Sequence, residues 1–230
     1  MDGSLMALVA ASAAFVGFHF LLSHPLRAGL VKALGNRGFL GVYSLVALVT
    51  FVWMVLAFRT SPTADLPGSG DVGWMLATLL TLPALVLFLG SLRSNPAMPN
   101  VSGPDPGGKP MIPDRAIGVF TITRHPMMWG FALWALSHIA LWWSTRTLVV
   151  AFAILVLALL GALAQDRKKA RLVGSAWQSW EAQTSFWPRW MNLPKAGRTL
   201  WLAAVALWLL ATYAHIHAVG VPAGLWRWLL

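Results

Sequence analysis

Gly38-Phe-Leu-Gly-Val-Tyr-Ser-Leu-Val-Ala-Leu-Val-Thr-Phe-Val-Trp-Met-Val-Leu-Ala-Phe58 runs for 21 residues without a charged side chain. A helix needs about 20 apolar residues to cross a hydrocarbon core of roughly 30 Å. Five further stretches have the same character: Leu5–Leu26, Gly73–Leu92, Met127–Trp143, Thr147–Ala164 and Leu200–Val219. The expected fold is therefore all-α, a polytopic membrane protein with six transmembrane helices forming a single domain over residues 1–230. Composition agrees, with 58% apolar and 10% charged residues. That leaves too few charges to cover a water-facing surface and excludes a soluble enzyme, a disordered chain or a secreted disulfide scaffold. The chain has no cysteine, which removes thiolate nucleophiles and Cys-ligated metals. The first span lacks a basic leader and an A-x-A-like site, so it is expected to be retained rather than cleaved.

The net charge is +10, and its distribution decides its meaning. Fourteen of the 17 basic residues fall in the connections after spans one, three and five, leaving Arg59, Arg146 and Arg227 on the other side. This is the positive-inside pattern, so the basic excess points to lipid headgroups and not to nucleic acid. It predicts a membrane protein with both termini outside the cytoplasm. Pro83 should kink the third span. Arg59–Val72 is expected as an external connection and Ser94–Pro113, dense in Pro and Gly, as an irregular cytoplasmic loop. Asp166–Gly197, basic and Trp-rich, is expected to include helix along the cytoplasmic interface.

Titratable groups inside spans need a partner or a role. His19 lies eight residues before Arg27, about 12 Å into the apolar layer, and His138 lies eight residues before Arg146. His24 and His125 sit at span boundaries, while His215 and His217 occupy a wet helix end that explains them. A buried imidazole either bonds a neighbouring carbonyl or binds a metal. Two on separate helices, without cysteine, suit bis-imidazole haem ligation better than zinc. Axial ligands must be nearly level across one iron, yet His138 is about 21 Å from Arg124 by helical rise, against about 12 Å for His19. His125 competes for the second place.

The segments His19-Phe-Leu-Leu-Ser23-His-Pro25-Leu-Arg27 and Ile122-Thr-Arg124-His125-Pro126-Met-Met128-Trp129-Gly130, with Leu136-Ser137-His138 beyond, resemble the NnrU family. Asp166, Gly174, Trp177, Trp180 and Trp187-Pro188 extend the likeness. This family also includes zeta-carotene isomerases. The resemblance implies haem b held by His19 and His138, with Arg124, His125 and Arg27 as candidates for its propionates. For the bacterial branch it implies a link to nitrite and nitric oxide metabolism, with an electron-transfer or reductase partner. Ala135 stands where the isomerases carry a cysteine, and Leu141-Trp142-Trp143 replaces polar residues, so carotene isomerisation is not carried over.

Arg124-His125-Pro126, Gly130 and a later acid also resemble isoprenylcysteine and phospholipid methyltransferases. There this constellation implies S-adenosylmethionine at the cytoplasmic interface, with Asp166 as the acid and Trp177 and Trp180 as aromatics. Met128 replaces a tyrosine, and Asp is shorter than the usual Glu. A non-catalytic assembly factor for a respiratory reductase needs none of this chemistry and is a third expectation.

Overall fold

The computed structural model describes residues 3–93, 95–97 and 112–230, all of them helix, turn or irregular chain with no strand among the described residues. Most of the expected Ser94–Pro113 loop lies outside the described residues. The helices are α1 (Gly3–Ser23), α2 (Arg27–Thr60), α3 (Gly70–Gly90), α4 (Pro126–Leu141), α5 (Thr145–Val173), α6 (Ser175–Gln183), α7 (Arg198–Val219) and α8 (Trp226–Leu229). Five of them, α1, α2, α3, α5 and α7, are long and apolar enough to cross a membrane. At most a third of each apolar window is buried inside the molecule, so the remainder presents apolar side chains outward, as a bilayer solvent permits.

The expected fourth span differs. α4 has 16 residues, about 24 Å by helical rise, because Pro126 fixes its first turn and Trp142 ends it in the left-handed region (φ 48°). α2 and α5 exceed their apolar runs. α2 begins eleven residues before Gly38 and bends where Gly35 takes φ 69° and ψ 174°, a conformation without steric penalty only for glycine. α5 continues nine residues past Ala164, carrying Arg167, Lys168, Lys169 and Arg171 beyond the apolar run. Pro83 lies inside helix α3. The expected interfacial segment is α6 followed by a 3-10 stretch, Trp190–Ala196.

Two groups of helices meet on α5. α1 packs on α2 and on α5, α4 packs on α3 and on α5, and α3 also packs on α7. Leu8, Ala11, Phe15, Met54 and Ala57 form one core with partners on α5. Leu87, Ile122, Trp129, Leu133, Trp177 and Trp180 belong to the other.

The end of α5 away from the lysines is closed by polar contacts. Ser144 Oγ accepts from Thr147 N at 3.3 Å, and Asp65 Oδ1 accepts from Thr145 N at 2.8 Å. Arg146 Nη1 donates to Phe58 O at 3.2 Å and Ser61 O at 3.0 Å. The Thr145 hydroxyl and N–H hold the Asp65 carboxyl below its ordinary pKa. A depressed carboxylate contributes stability that is present at neutral pH and is lost as pH falls through the folded pKa. Asp65→Asn should therefore lower the melting temperature at pH 7, with the gap to wild type closing below about pH 4. A gap that persists in acid would remove the carboxylate as its cause.

Candidate functional site

The best-built polar site lies at the basic end of the bundle, where the chain enters α4. Pro126 disfavours helix at the residue before it, and His125 has φ −119° and ψ 55°. The extended segment so created pairs with residues 185–189. Arg124 N donates to Ser185 O and Arg189 N donates to Ile122 O, both at 2.8 Å. Thr123 Oγ1 donates to Phe186 O at 2.8 Å and accepts from His125 N at 3.2 Å. Trp129 Nε1, on the first turn of α4, also donates to Phe186 O at 2.8 Å. These bonds fix the two side chains that follow Thr123.

Arg124 and His125 converge on Asp166 of α5. Arg124 Nε lies 3.1 and 3.0 Å from the two carboxylate oxygens and its Nη2 lies 2.7 Å from Oδ2. His125 Nε2 donates to Oδ1 at 2.7 Å. Glu181 Oε1 of α6 approaches the same guanidinium at 3.6 Å, and the guanidinium carbon stands 5.7 Å from the centre of the Phe186 ring. His125 is 1% exposed and Asp166 9%. Charge-assisted pairs of this geometry are among the stronger polar contacts a protein makes.

The site retains unused capacity. His125 Nε2 faces Asp166, and the buried Nδ1 of the same ring has no partner. It belongs to a residue lining a cavity of about 10 Å³ with Asn95, Ala97, Met127, Met128 and Gln165, room for a single water. No side chain caps α4, so its first-turn N–H groups have no side-chain acceptor; Met127 and Met128 of that turn line the same cavity. Trp177 and Trp180, 0% and 1% exposed, pack beneath the site with unpartnered indole nitrogens.

His19 and His138 each have their own local partners. His19 Nδ1 donates to Phe15 O at 2.6 Å, and its ring meets Tyr43 of α2 edge-on at 5.5 Å. His138 Nδ1 donates to Trp134 O at 2.9 Å, its ring lies 4.3 Å from Trp134, and it is within electrostatic reach of His215 on α7. One imidazole therefore faces the α2 side and the other the α7 side, with α5 the helix that both α1 and α4 touch. Val16 and Val156 line one groove between α1 and α5. His138 lies thirteen residues past His125, about 20 Å further along α4 by helical rise. No group of three or more His, Asp or Glu able to hold a metal occurs among the described residues.

Arg27, the other expected propionate partner, opens α2 with its guanidinium 5.4 Å from the Phe39 ring. His215 is occupied structurally, its Nδ1 donating to Val221 O at 2.9 Å. Sequence reasoning missed Glu181 and the Thr123–Phe186 pairing. Trp187-Pro188 was the available signal, since the residue before a proline favours extended chain.

No curated protein and no solved structure matches the chain. A family model described as NnrU protein matches residues 7–223, which takes in α4, α5 and both groups of the Arg124–Asp166 site; the chain belongs to the NnrU family.

Proposed function

We propose that this multi-pass membrane protein binds S-adenosylmethionine at its basic end and transfers methyl groups to a membrane-borne acceptor, the basic end being cytoplasmic and the membrane the bacterial inner membrane. The observation that carries this reading is the convergence of Arg124 and His125 on the buried carboxylate of Asp166, 42 and 41 positions further along the chain. The residues suit the cofactor's polar groups. The uncapped start of α4 favours its carboxylate, and Glu181, only loosely paired with Arg124, offers an oxygen to its ammonium. The cofactor supplies an electrophilic methyl group. The protein's own part is to orient Arg124 through Asp166 and to hold a proton acceptor, His125 Nδ1, whose imidazolium the Asp166 carboxylate would steady. Anything larger than a water has to displace the wall formed by Asn95 and Ala97, a turn closed on itself by a 3.0 Å bond from Ala97 N to Asn95 Oδ1.

Titration calorimetry of the detergent-solubilised protein should show S-adenosylmethionine binding that is lost in Asp166→Asn. An absorption scan of the same sample should be featureless near 400 nm. A Soret band that disappears in His19→Ala or His138→Ala, with no calorimetric signal, would replace methyl transfer by haem b binding. Absence of both signals would leave the assembly-factor reading.

A further inference from the structure

The bond from His125 to Asp166 uses only one edge of the imidazole. Nε2 is 2.7 Å from Asp166 Oδ1, and the same carboxylate is held by Arg124 Nη2 at 2.7 Å. A histidine that binds a metal through one ring nitrogen almost always has the other bonded to a carboxylate, a carbonyl or water, which fixes the ring and raises its basicity. An ionised carboxylate has no proton to give, so in the neutral ring Nε2 carries the hydrogen and Nδ1 the lone pair. The residue is 1% exposed, and its Nδ1 has no partner. A polar atom left bare in an interior is uncommon enough to need a reason.

The neighbours of this ring supply one. Met127 and Met128, the two residues after Pro126, line the cavity of about 10 Å³ that His125 also lines. Both are partly buried, and a thioether on three rotatable bonds can turn its sulfur inward at little cost. The space is that of one water molecule, enough for a single ion stripped of its hydration shell. Two thioethers and an imidazole are neutral, soft ligands, and such a set suits copper(I). Charge points the same way. Arg124 set against Asp166 and Glu181 leaves one negative charge in the cluster, which a monovalent ion offsets. The start of α4 is the positive end of a helix dipole and opposes a cation, a divalent one more strongly.

We infer that His125 Nδ1 and the thioethers of Met127 and Met128 form a binding site for a soft monovalent metal ion, copper(I). The ion and the proposed methyl transfer call on the same nitrogen, so copper(I) inhibits any transfer that uses it. The metal site itself does not rest on that reading.

The test uses the full chain in detergent, kept anaerobic with ascorbate and titrated with copper(I) against the chromophoric chelator bicinchoninate. The wild type should take a single equivalent from the chelator. Met127→Leu/Met128→Leu conserves side-chain volume and so costs little stability, yet it should weaken retention at least about tenfold. Asp166→Asn, which acts through the position of the imidazole, should weaken it about 10–100-fold. Met54→Leu/Met75→Leu, on α2 and α3, should leave it unchanged. X-ray absorption at the copper edge should show sulfur and nitrogen neighbours in the wild type, with sulfur lost from the Met127/Met128 variant. A wild type that takes no copper(I) from the chelator overturns the site. So does equal retention by the wild type and the Met127/Met128 variant, or a preference for zinc that survives loss of both sulfurs. Melting temperatures show that each variant is folded; should the double variant melt early, Met127→Leu and Met128→Leu singly, read by the same absorption spectra, decide the matter. Calorimetry with S-adenosylmethionine keeps the two readings apart. Cofactor binding without copper overturns the metal site alone, and copper binding without the cofactor overturns methyl transfer alone.

Discussion

Asp166→Ala should be the most damaging single substitution in the molecule. The carboxylate bonds a guanidinium whose side chain is 14% exposed and an imidazole side chain that is 0% exposed, and both would lose their principal partner together. Removing one member of a buried charged pair costs about 3–5 kcal/mol, mostly because the remaining charge is left uncompensated. For a chain of this size that corresponds to roughly 10 °C in melting temperature. Asp166→Asn should lose less, since an amide oxygen still accepts from His125 or Arg124. Thermal unfolding of the two variants in one detergent checks the order. A melting temperature within 2–3 °C of wild type for Asp166→Ala, a change of about 1 kcal/mol, would show that the cluster does not hold α4, α5 and α6 together.

The second large effect is expected at Gly130, where α4 crosses α3. A Cβ there would stand 2.8 Å from Ala84 O and 3.2 Å from Phe88 N, both backbone atoms. A flexible side chain could swing aside; a backbone cannot, so the helices must separate. Overpacking of this kind costs about 1–3 kcal/mol, and Gly130→Val should exceed Gly130→Ala. Gly161, in the middle of α5, is the control, since nothing lies within 4 Å of its added Cβ. Gly161→Ala should leave stability unchanged or raise it by up to about 1 kcal/mol through helix propensity. Equal losses at both positions would show that close approach of α3 and α4 is not what glycine provides at 130.

The long helices were legible because a bilayer demands a run of apolar residues and little else. α1, α3 and α7 begin and end within three residues of the apolar stretches. The boundaries failed where charge and helix coexist: Lys32 and Arg37 hid the first part of α2, and Arg167–Arg171 hid the end of α5. Pro126 at the first position of α4 was readable from its missing N–H. The facing of the histidines was not. Lipid and protein interior are equally apolar, so the pattern of a span says little about which side meets a neighbour, and only coordinates show His19 turned toward Tyr43. Asp166 was recognisable as an acid out of place. That Arg124 and His125 both converge on it, with Glu181 behind, depends on the turn at Gly174 (φ 61°) between α5 and α6, whose direction the sequence leaves open.

The shortness of α4 has a consequence for the membrane itself. Beside the 29 residues of α5, its 16 residues fall about 6 Å short of an average hydrocarbon layer. If α4 crosses the bilayer, the lipids beside it are expected to thin, since a short hydrophobic segment is accommodated by local compression of the leaflets. The Arg124–His125 turn at its start would then lie below the level of the surrounding headgroups, where a polar molecule from the aqueous side could meet a greasy one from the bilayer.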